Sequence, residues 1–359
     1  MNQVARTIEL PLSPSYVESW GIPQAIRELL QNAIDSEAPF EFAFKGDTFY
    51  VTSRDVILPI NTLILGNSTK AQDDSKIGKF GEGYKLALLV LAREGLPVTI
   101  RNGRSDWTPQ FRHSQNYGGE VLCIDIAEVE RDGRDLEFVI GNLSHADTTA
   151  IYESCLLMQP DVEAVAETKL GRILADHAGR LYVGGLFVCE TDLDYGYDFK
   201  PEFLTLERDR QTVDHWDLKS QVKEMWFETK RFDEIAEMMS KNVPDLEYAE
   251  YGCPELVKEA CYRHFVANHE GKVITNSHEE TQRAVAKGMT VVQSRGGYYF
   301  GVSQSASYKN SSSAVWAKIK SPAEWLAEWA EQNQRIMSHP LRIAFKAVIA
   351  KAAKWKEVR

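Results

Sequence analysis

The sequence predicts an α+β protein, and three observations lead to that prediction. Strand-like runs alternate between apolar and polar residues, one helix carries a single apolar face, and a glycine-rich segment leads into a second, apolar helix. The strands come in groups with the helices on one side, which is typical of an α+β layer and not of a doubly wound parallel sheet. We predict three regions, 1–155, 156–245 and 246–359, because 359 residues suffice for two or three domains.

The first region is predicted to form one α/β sandwich. Paired strands around the turn signal Lys45-Gly46-Asp47 are the clearest local pattern. The predicted order is a strand at 7–10, a helix at 22–35, strands at 40–44 and 48–52, a polar segment at 67–76, the glycine segment at 77–83, a buried helix at 86–92, and strands at 97–101, 121–126 and 136–140.

The helix predicted at 22–35 separates polar from apolar side chains. Glu28, Asn32 and Asp35 share one face because they stand at i, i+4 and i+7. The opposite side is apolar and carries Ile26, Leu29, Leu30, Ala33 and Ile34. An amphipathic helix with a solvated polar face is one interpretation. The other is chemical: Glu28 polarises a water and the Asn32 side-chain oxygen holds a hard cation.

The glycine segment ends where the second helix begins. Gly78, Gly81 and Gly83 allow positive φ angles and close approach of a ligand to the backbone. A helix N-terminus adds free N–H groups and a favourable dipole, so the segment predicts an anion site, in particular one for phosphate.

Together these segments resemble the GHKL superfamily of ATPases, which includes gyrase-type subunits, heat-shock chaperones, histidine kinases and MutL-type proteins. The stretch 28–35 is similar to the N-box of that family, and 77–83 is similar to its third motif in the chaperone-like version. Between them, Leu65-Gly66-Asn67-Ser68-Thr69-Lys70 resembles the start of its ATP lid. The resemblance implies a Bergerat-type ATP-binding domain at 1–155, followed by a transducer- or middle-like region and a C-terminal α/β to helical region.

The resemblance also implies ATP and Mg²⁺ as ligands. Asn32 would coordinate the metal, Glu28 would act as general base or position the water, and Lys70 and Lys85 would neutralise phosphate charge. The expected nucleotide contacts also include Asp35, Ser68, Thr69, Gly78, Gly81 and Gly83. Turnover is expected to be slow and coupled to lid closure and dimerisation, with a homodimer as a candidate assembly.

One motif of the family is missing. Members of the family carry a D-x-G-x-G motif before the lid, and the Asp of this motif binds the adenine amino group. The corresponding stretch of this chain, 53–58, contains no glycine. Asp55 or Ser53 are the candidates for that contact. Asp55 is equally well explained as a turn residue at the end of a strand. This departure leaves open a second function, in which a GHKL-type protein without effective catalysis binds a protein partner or nucleic acid.

The second region contains a predicted hairpin or bent strand at 180–188 with two glycines. The stretch 201–212 loosely resembles the loop that reaches the γ-phosphate in the chaperone and gyrase branches. On that likeness Arg208 or Arg210 would be the phosphate sensor, since guanidinium binds phosphate bidentately. A surface ion-pair cluster with Glu207 and Asp209 is the competing interpretation.

The third region resembles no family that we can name. It predicts alternating helices and strands, a strand at 298–302, a flexible break at 310–313, and a helix starting near Pro322. Trp325 and Trp329 at i, i+4 predict a core or domain contact. The cationic segment 341–356 is expected to dock through its apolar side, with a nucleic-acid or membrane contact as the less favoured alternative.

Composition disfavours several classes of protein, among them nucleic-acid-binding, membrane-spanning and secreted proteins. A net charge of −11 disfavours broad nucleic-acid binding and suits a basic protein partner. No stretch approaches the roughly 20 apolar residues of a membrane span, and the N-terminus lacks an apolar signal core. Five scattered cysteines predict reduced core residues. We therefore expect a cytoplasmic protein without membrane contact.

Overall fold

The computed structural model describes residues 4–64, 83–204, 213–317 and 322–354. They divide into two compact units, Met1–Thr229 and Lys230–Arg359. Antiparallel sheets and helices occur together in the first unit, so the fold class is α+β, as predicted. No helix among the described residues is both long and apolar enough to cross a bilayer.

A seven-stranded sheet forms the base of the first unit. All its pairings are antiparallel, in the order β1-β6-β5-β4-β7-β3-β2. The strands are β1 (Val4–Leu10), β2 (Phe40–Lys45), β3 (Thr48–Ser53), β4 (Val98–Asn102), β5 (Ser105–Ser114), β6 (Gly119–Glu128) and β7 (Leu136–Ile140).

Two helices pack on this sheet and share its core. Helix α1 (Ile22–Asp35) begins after Gly21, whose N–H donates to Gln24 Oε1 at 3.0 Å. Helix α2 (Gly83–Arg93) is buried from Gly83 to Leu91, which confirms the predicted buried helix. The two helices lie against each other, and α1 also contacts β3. Helix α3 (His145–Glu153) follows the sheet, with the Ser144 hydroxyl capping its first turn.

A second, five-stranded sheet completes the first unit. Its order is β11-β10-β12-β9-β8, and only β10 and β12 run parallel. The strands are β8 (Ala164–Glu167), β9 (Gly171–Leu174), β10 (Arg180–Val183), β11 (Leu186–Glu190) and β12 (Gly196–Phe199). The hairpin β10–β11 confirms the one predicted at 180–188. Helix α4 (His215–Thr229) packs on this sheet through Trp226, whose Nε1 donates to the Tyr197 hydroxyl.

The second unit is mostly helical, with one short parallel sheet. The helices are α5 (Phe232–Ser240), α6 (Glu255–Asn268), α7 (His278–Ala286), α8 (Gly296–Gln304), α9 (Ala306–Ala317), α10 (Pro322–Gln332) and α11 (His339–Lys354), and the strands are β13 (Val273–Thr275) and β14 (Val291–Gln293).

Two predictions for the second unit are wrong. The aromatic run 298–302 is not a strand but part of α8. Gly297 and Gly301 are four residues apart, and a Cβ at Gly301 would lie 2.7 Å from Cys261 Sγ. Close packing of a glycine helix face therefore overrides the β propensity of the aromatic residues. The break expected at 310–313 lies inside α9, where the Ser311 hydroxyl donates back to Tyr308 O.

Strand β5 has no counterpart in the sequence prediction. It contains Pro109, which normally argues against a central strand. Strand β4 pairs only with the first residues of β5, at 105–107, whereas β6 pairs with its whole length. Pro109 therefore lies in the part of β5 that does not pair with β4. Because it has no β4 residue opposite it, the missing N–H of Pro109 removes no hydrogen bond to that strand.

Candidate functional site

Helix α1 carries the three polar residues that the sequence selects. Glu28 is 1% exposed and Asp35 is 5% exposed, while Asn32 is half-buried. The interpretation as a solvated polar face is therefore wrong for the two carboxylates. Burial of a carboxylate is costly unless it is compensated, so these side chains have specific surroundings.

Glu28 lies beside an arginine that connects α1 to the second sheet. Arg27 Nη1 is 3.6 Å from Glu28 Oε1, and Arg27 Nε donates to Phe187 O at 2.8 Å. Phe187 belongs to β11, 160 residues further along the chain. The guanidinium thus holds β11 against α1 and places positive charge next to the Glu28 carboxylate.

A cavity of about 330 Å³ lies between α1 and β11. Its walls are formed by the start of α1 and by one side of the hairpin. The lining residues are Trp20, Pro23, Gln24, Arg27, Glu28, Ser154, Phe187, Val188, Cys189 and Glu190. Glu28 is therefore nearly fully buried and lines this cavity.

Asn32 is oriented by its own helix. Its Nδ2 donates to Glu28 O at 2.7 Å, one turn earlier. With the amide nitrogen engaged in this bond, the amide oxygen is the atom left to accept a cation. Glu28 and Asn32 thus present an acidic group and an oxygen ligand one helical turn apart.

Helix α2 starts at Gly83, and its first turn has no acidic residue. Lys85 in that turn is fully buried, and its Nζ donates to Thr62 O at 2.9 Å and to Ile64 O at 2.6 Å. Tyr84 adds a bond from its hydroxyl to Thr62 Oγ1, and burial raises the pKa of this hydroxyl to about 12. These bonds attach the short 3₁₀ turn Ile60–Leu63 to α2.

Ser53 and Asp55, the two candidates for the adenine contact, have different surroundings at the end of β3. Ser53 is buried on the same strand face as Phe49 and Val51, the face that packs under α1 and α2. Asp55 is exposed, has φ of 54°, and donates its N–H to Asp135 Oδ1. This N–H, followed by Arg54, lowers the pKa of Asp135. Asp55 therefore occupies the turn that its alternative interpretation predicts.

Several predicted site residues fall outside the described part of the chain. They are Ser68, Thr69, Lys70, Gly78, Gly81, Arg208 and Arg210. Among the described residues, α1 brings Glu28, Asn32 and Asp35 together, and its contacts with α2 and β3 bring it against the elements that carry Gly83 and Ser53.

Sequence reasoning missed Arg27 and Thr62. Arg27 adjoins the motif, but its partner in β11 is too distant along the chain for any local pattern to reveal it. Thr62 precedes the lid-like stretch, and the only signal was the turn-forming Pro59 before it.

Comparison with known proteins finds a similar protein, but the function of that protein is not known. No protein-family model matches the chain. An uncharacterized protein from Mycoplasma pneumoniae (strain ATCC 29342 / M129 / Subtype 1) is 26% identical over 220 residues, covering 55% of this chain and 88% of the relative. The chain is thus similar to a bacterial protein that is itself uncharacterized.

Proposed function

We propose that this chain is a Mg²⁺-dependent ATP-binding protein of the GHKL type that hydrolyses ATP slowly and acts as a conformational switch. The observation that carries the proposal is the buried Glu28 one turn from Asn32, on a helix packed against the helix that follows the glycine segment. The motifs at 28–35, 65–70 and 77–83 add the resemblance described above.

The donor set fits a magnesium nucleotide. The Asn32 amide oxygen is a hard ligand, as Mg²⁺ requires. From Gly83 on, the described first turn of α2 holds no acidic residue, and the helix dipole favours an anion; Glu82 directly before it lies outside the described residues. ATP would supply the phosphoanhydride bond, and the protein would contribute positioning and electrostatics.

Glu28 is the proposed general base. Glu28 lines the cavity between α1 and β11 and is nearly fully buried, which suits a group that acts on one bound water. Arg27, 3.6 Å away, would fix the direction of the carboxylate. Because Arg27 also binds β11, the position of Glu28 would respond to movement of the second sheet.

Ser53 is the better candidate for the base-binding residue. It is on the helix-facing side of β3, whereas Asp55 is exposed and its backbone is bound to Asp135. A serine hydroxyl both donates and accepts, so it is less selective for an adenine amino group than a carboxylate would be. We therefore expect weaker discrimination between adenine and guanine nucleotides than a carboxylate would give.

The test separates binding from hydrolysis. Glu28→Gln preserves size and should bind MgATP in calorimetry while lowering phosphate release by about 10²–10⁴-fold, the usual contribution of a general base. Asn32→Ala should weaken MgATP binding itself. Glu18→Gln is the matched control, because Glu18 is exposed just before α1. Equal phosphate release by Glu28→Gln and wild type would refute the hydrolysis claim.

A second candidate function is a binding module without catalysis. The departure at 53–58 and the engagement of Lys85 with two backbone carbonyls favour it, since both remove expected nucleotide contacts. Its partner would be a basic protein, given the net charge of −11, or a nucleic acid reached through the C-terminal helix. If ATP, ADP and a nonhydrolysable analogue all leave the melting temperature unchanged, this second function is the one supported.

A further inference from the structure

The second unit contains a cleft of about 780 Å³, a volume typical of small-molecule sites. Its walls come from the ends of α5 and α6, the end of β14 and the first turn of α8. Strands β13 and β14 run parallel and are connected through α7. In open α/β sheets, ligands bind beyond the carboxyl ends of the parallel strands. Gln293 and Ser294, at the end of β14, line the cleft in this position.

A buried tyrosine orients a histidine of this cleft. The hydroxyl of Tyr298, which is 3% exposed, lies 2.8 Å from Nδ1 of His264, and the two rings meet edge to face. Burial raises the pKa of Tyr298, so its hydroxyl keeps its proton and donates to Nδ1 of the neutral imidazole. The ring proton is then on Nε2, which has no hydrogen-bond partner in the part of the chain that the structure describes. His264 therefore offers an N–H donor to a ligand in the cleft.

Two basic residues and one acidic residue are among the described residues that line the cleft, although the chain carries a net charge of −11. Lys241 Nζ lies 2.6 Å from Glu237 Oε1, so the acidic charge is compensated by its neighbour one turn away. Arg295 is exposed and forms no ion pair within the described ranges. The guanidinium of Arg295 therefore remains as a cation for a ligand, and its planar fork suits phosphate oxygens.

Uncharged polar side chains lie along the same walls, among them Asn242, Asn268 and Gln293. Asn268 Nδ2 donates to His264 O at 2.8 Å, which leaves the amide oxygen of Asn268 as an acceptor. Amides both donate and accept, so they suit the hydroxyl groups of a sugar. The ring of Tyr298 is buried and gives no surface on which a nucleotide base could stack.

We propose that this cleft binds a sugar phosphate, a small ligand with one phosphate monoester group and several hydroxyl groups. Arg295 and Nε2 of His264 would bind the phosphate oxygens, and the amide side chains would bind the hydroxyl groups. None of the described residues that line the cleft belongs to the proposed ATP site. The proposal goes beyond the proposed ATPase function because it requires neither ATP nor Mg²⁺.

Calorimetry on the full-length chain tests the ligand class with glucose 6-phosphate, glucose 1-phosphate and ribose 5-phosphate as probes. At least one of them should bind saturably with a Kd below about 1 mM. Glucose, ribose and inorganic phosphate should each bind at least about tenfold more weakly, because each lacks one of the two sets of contacts. Hydrogen exchange should show that the bound sugar phosphate protects residues 264–269 and 292–298.

Substitution of Arg295 tests the phosphate contact. Arg295→Gln should raise the Kd about tenfold or more, because a charge-assisted hydrogen bond is lost. Arg295→Lys keeps the charge without the planar fork, so its Kd should lie between those of the wild type and Arg295→Gln. Arg283→Gln is the matched control, since Arg283 is an exposed arginine of α7 that does not line the cleft. Asn32→Ala should leave sugar phosphate binding unchanged.

Three results would overturn the proposal. One is the absence of saturable binding by all three sugar phosphates up to about 10 mM. Another is an Arg295→Gln variant that binds them as tightly as the wild type does. The third is inorganic phosphate that binds as tightly as the sugar phosphates, which would indicate a nonspecific anion site. Sugar phosphate binding by a chain that binds no MgATP would support this proposal and refute the ATPase function alone.

Discussion

At the residue scale, Lys85 is the clearest case of a buried charge used for structure. Its ammonium group is fully buried and bound to the carbonyls of Thr62 and Ile64, directly before residue 65. Hydrogen bonds from charged donors are stronger than neutral ones, so this lysine attaches the start of the lid-like stretch to α2. The resemblance implies a phosphate contact for the same residue, and stability measurements distinguish the two roles.

Lys85→Met should lower the free energy of unfolding by about 2 kcal/mol, because two charge-assisted bonds are lost while the volume is kept. Tyr84→Phe, which removes one neutral bond to Thr62, should cost about 1 kcal/mol. Urea denaturation measures both. A Lys85→Met protein with wild-type stability but no MgATP binding would assign the ammonium group to the phosphate and not to the turn.

We expect His177 to make the stability of the first unit depend on pH. The ring is half-buried, with Nε2 2.9 Å from Gln159 Oε1, and its buried Nδ1 has no hydrogen-bond partner among the described residues. Burial, followed by the charge of Arg180, lowers the pKa of His177 below 6.5. The unfolded chain therefore binds the proton at a higher pH than the folded chain does. The contribution of neutral His177 to the free energy of unfolding is complete above about pH 6.5, and it is lost as the pH falls through the lower folded-state pKa.

We therefore expect the urea midpoint of the wild type to be lower at about pH 5.5 than at about pH 7.5. In the His177→Asn variant, the difference between the two midpoints should be smaller. Each unit of pKa separation corresponds to about 1.4 kcal/mol. His113→Asn is the control because that imidazole is exposed. An unchanged pH dependence in His177→Asn would mean that other groups cause it.

At the scale of elements, close backbone approach determines the second sheet. Gly171 in β9 has φ of 152°, and a Cβ there would lie 2.1 Å from Asp198 O in β12. The neighbouring Asp198 side chain accepts from the Gly185 N–H of the hairpin turn and pairs with Arg172. One glycine thus allows β9 and β12 to meet where Asp198 connects these two strands to the hairpin turn.

Gly171→Ala should destabilise the first unit by more than about 3 kcal/mol, because the strands must separate to admit a methyl group. Gly118→Ala is the matched control: φ there is 67°, but nothing lies within 4 Å of the added Cβ. It should cost only about 1 kcal/mol from backbone strain. Equal urea midpoints for the two variants would contradict the close approach.

At the scale of the whole molecule, the chain divides after Thr229, the last residue of α4. The first unit contains the seven-stranded and five-stranded sheets and every described residue of the proposed ATP site. The described part of the proposed nucleotide site therefore lies within the first unit.

A fragment of residues 1–229 should consequently fold alone and show the same melting-temperature shift with MgATP as the full chain, since its core is complete. Circular dichroism and thermal shift check these points. A fragment without cooperative unfolding would show that the second unit is needed for the fold of the first.

Local signals in the sequence specify several elements of the first unit. The polar face of α1, the apolar α2, and the hairpin around Gly184 and Gly185 follow from helical and strand periodicity and from turn chemistry, which act within a few residues. The same local signals selected Glu28 and Asn32. They did not reveal β5, whose polar residues and Pro109 hide a strand that only its neighbours in the sheet stabilise.

The surroundings of these residues depend on contacts between segments that are far apart in the sequence. Glu28 is buried because β11, 160 residues further on, is held to α1 by Arg27, and the 298–302 run is helical because Gly301 meets Cys261. The exposure of Trp325 likewise depends on which surfaces of the unit find partners. Contacts between distant segments follow from the packing of complete surfaces, and local propensity is too weak to specify them.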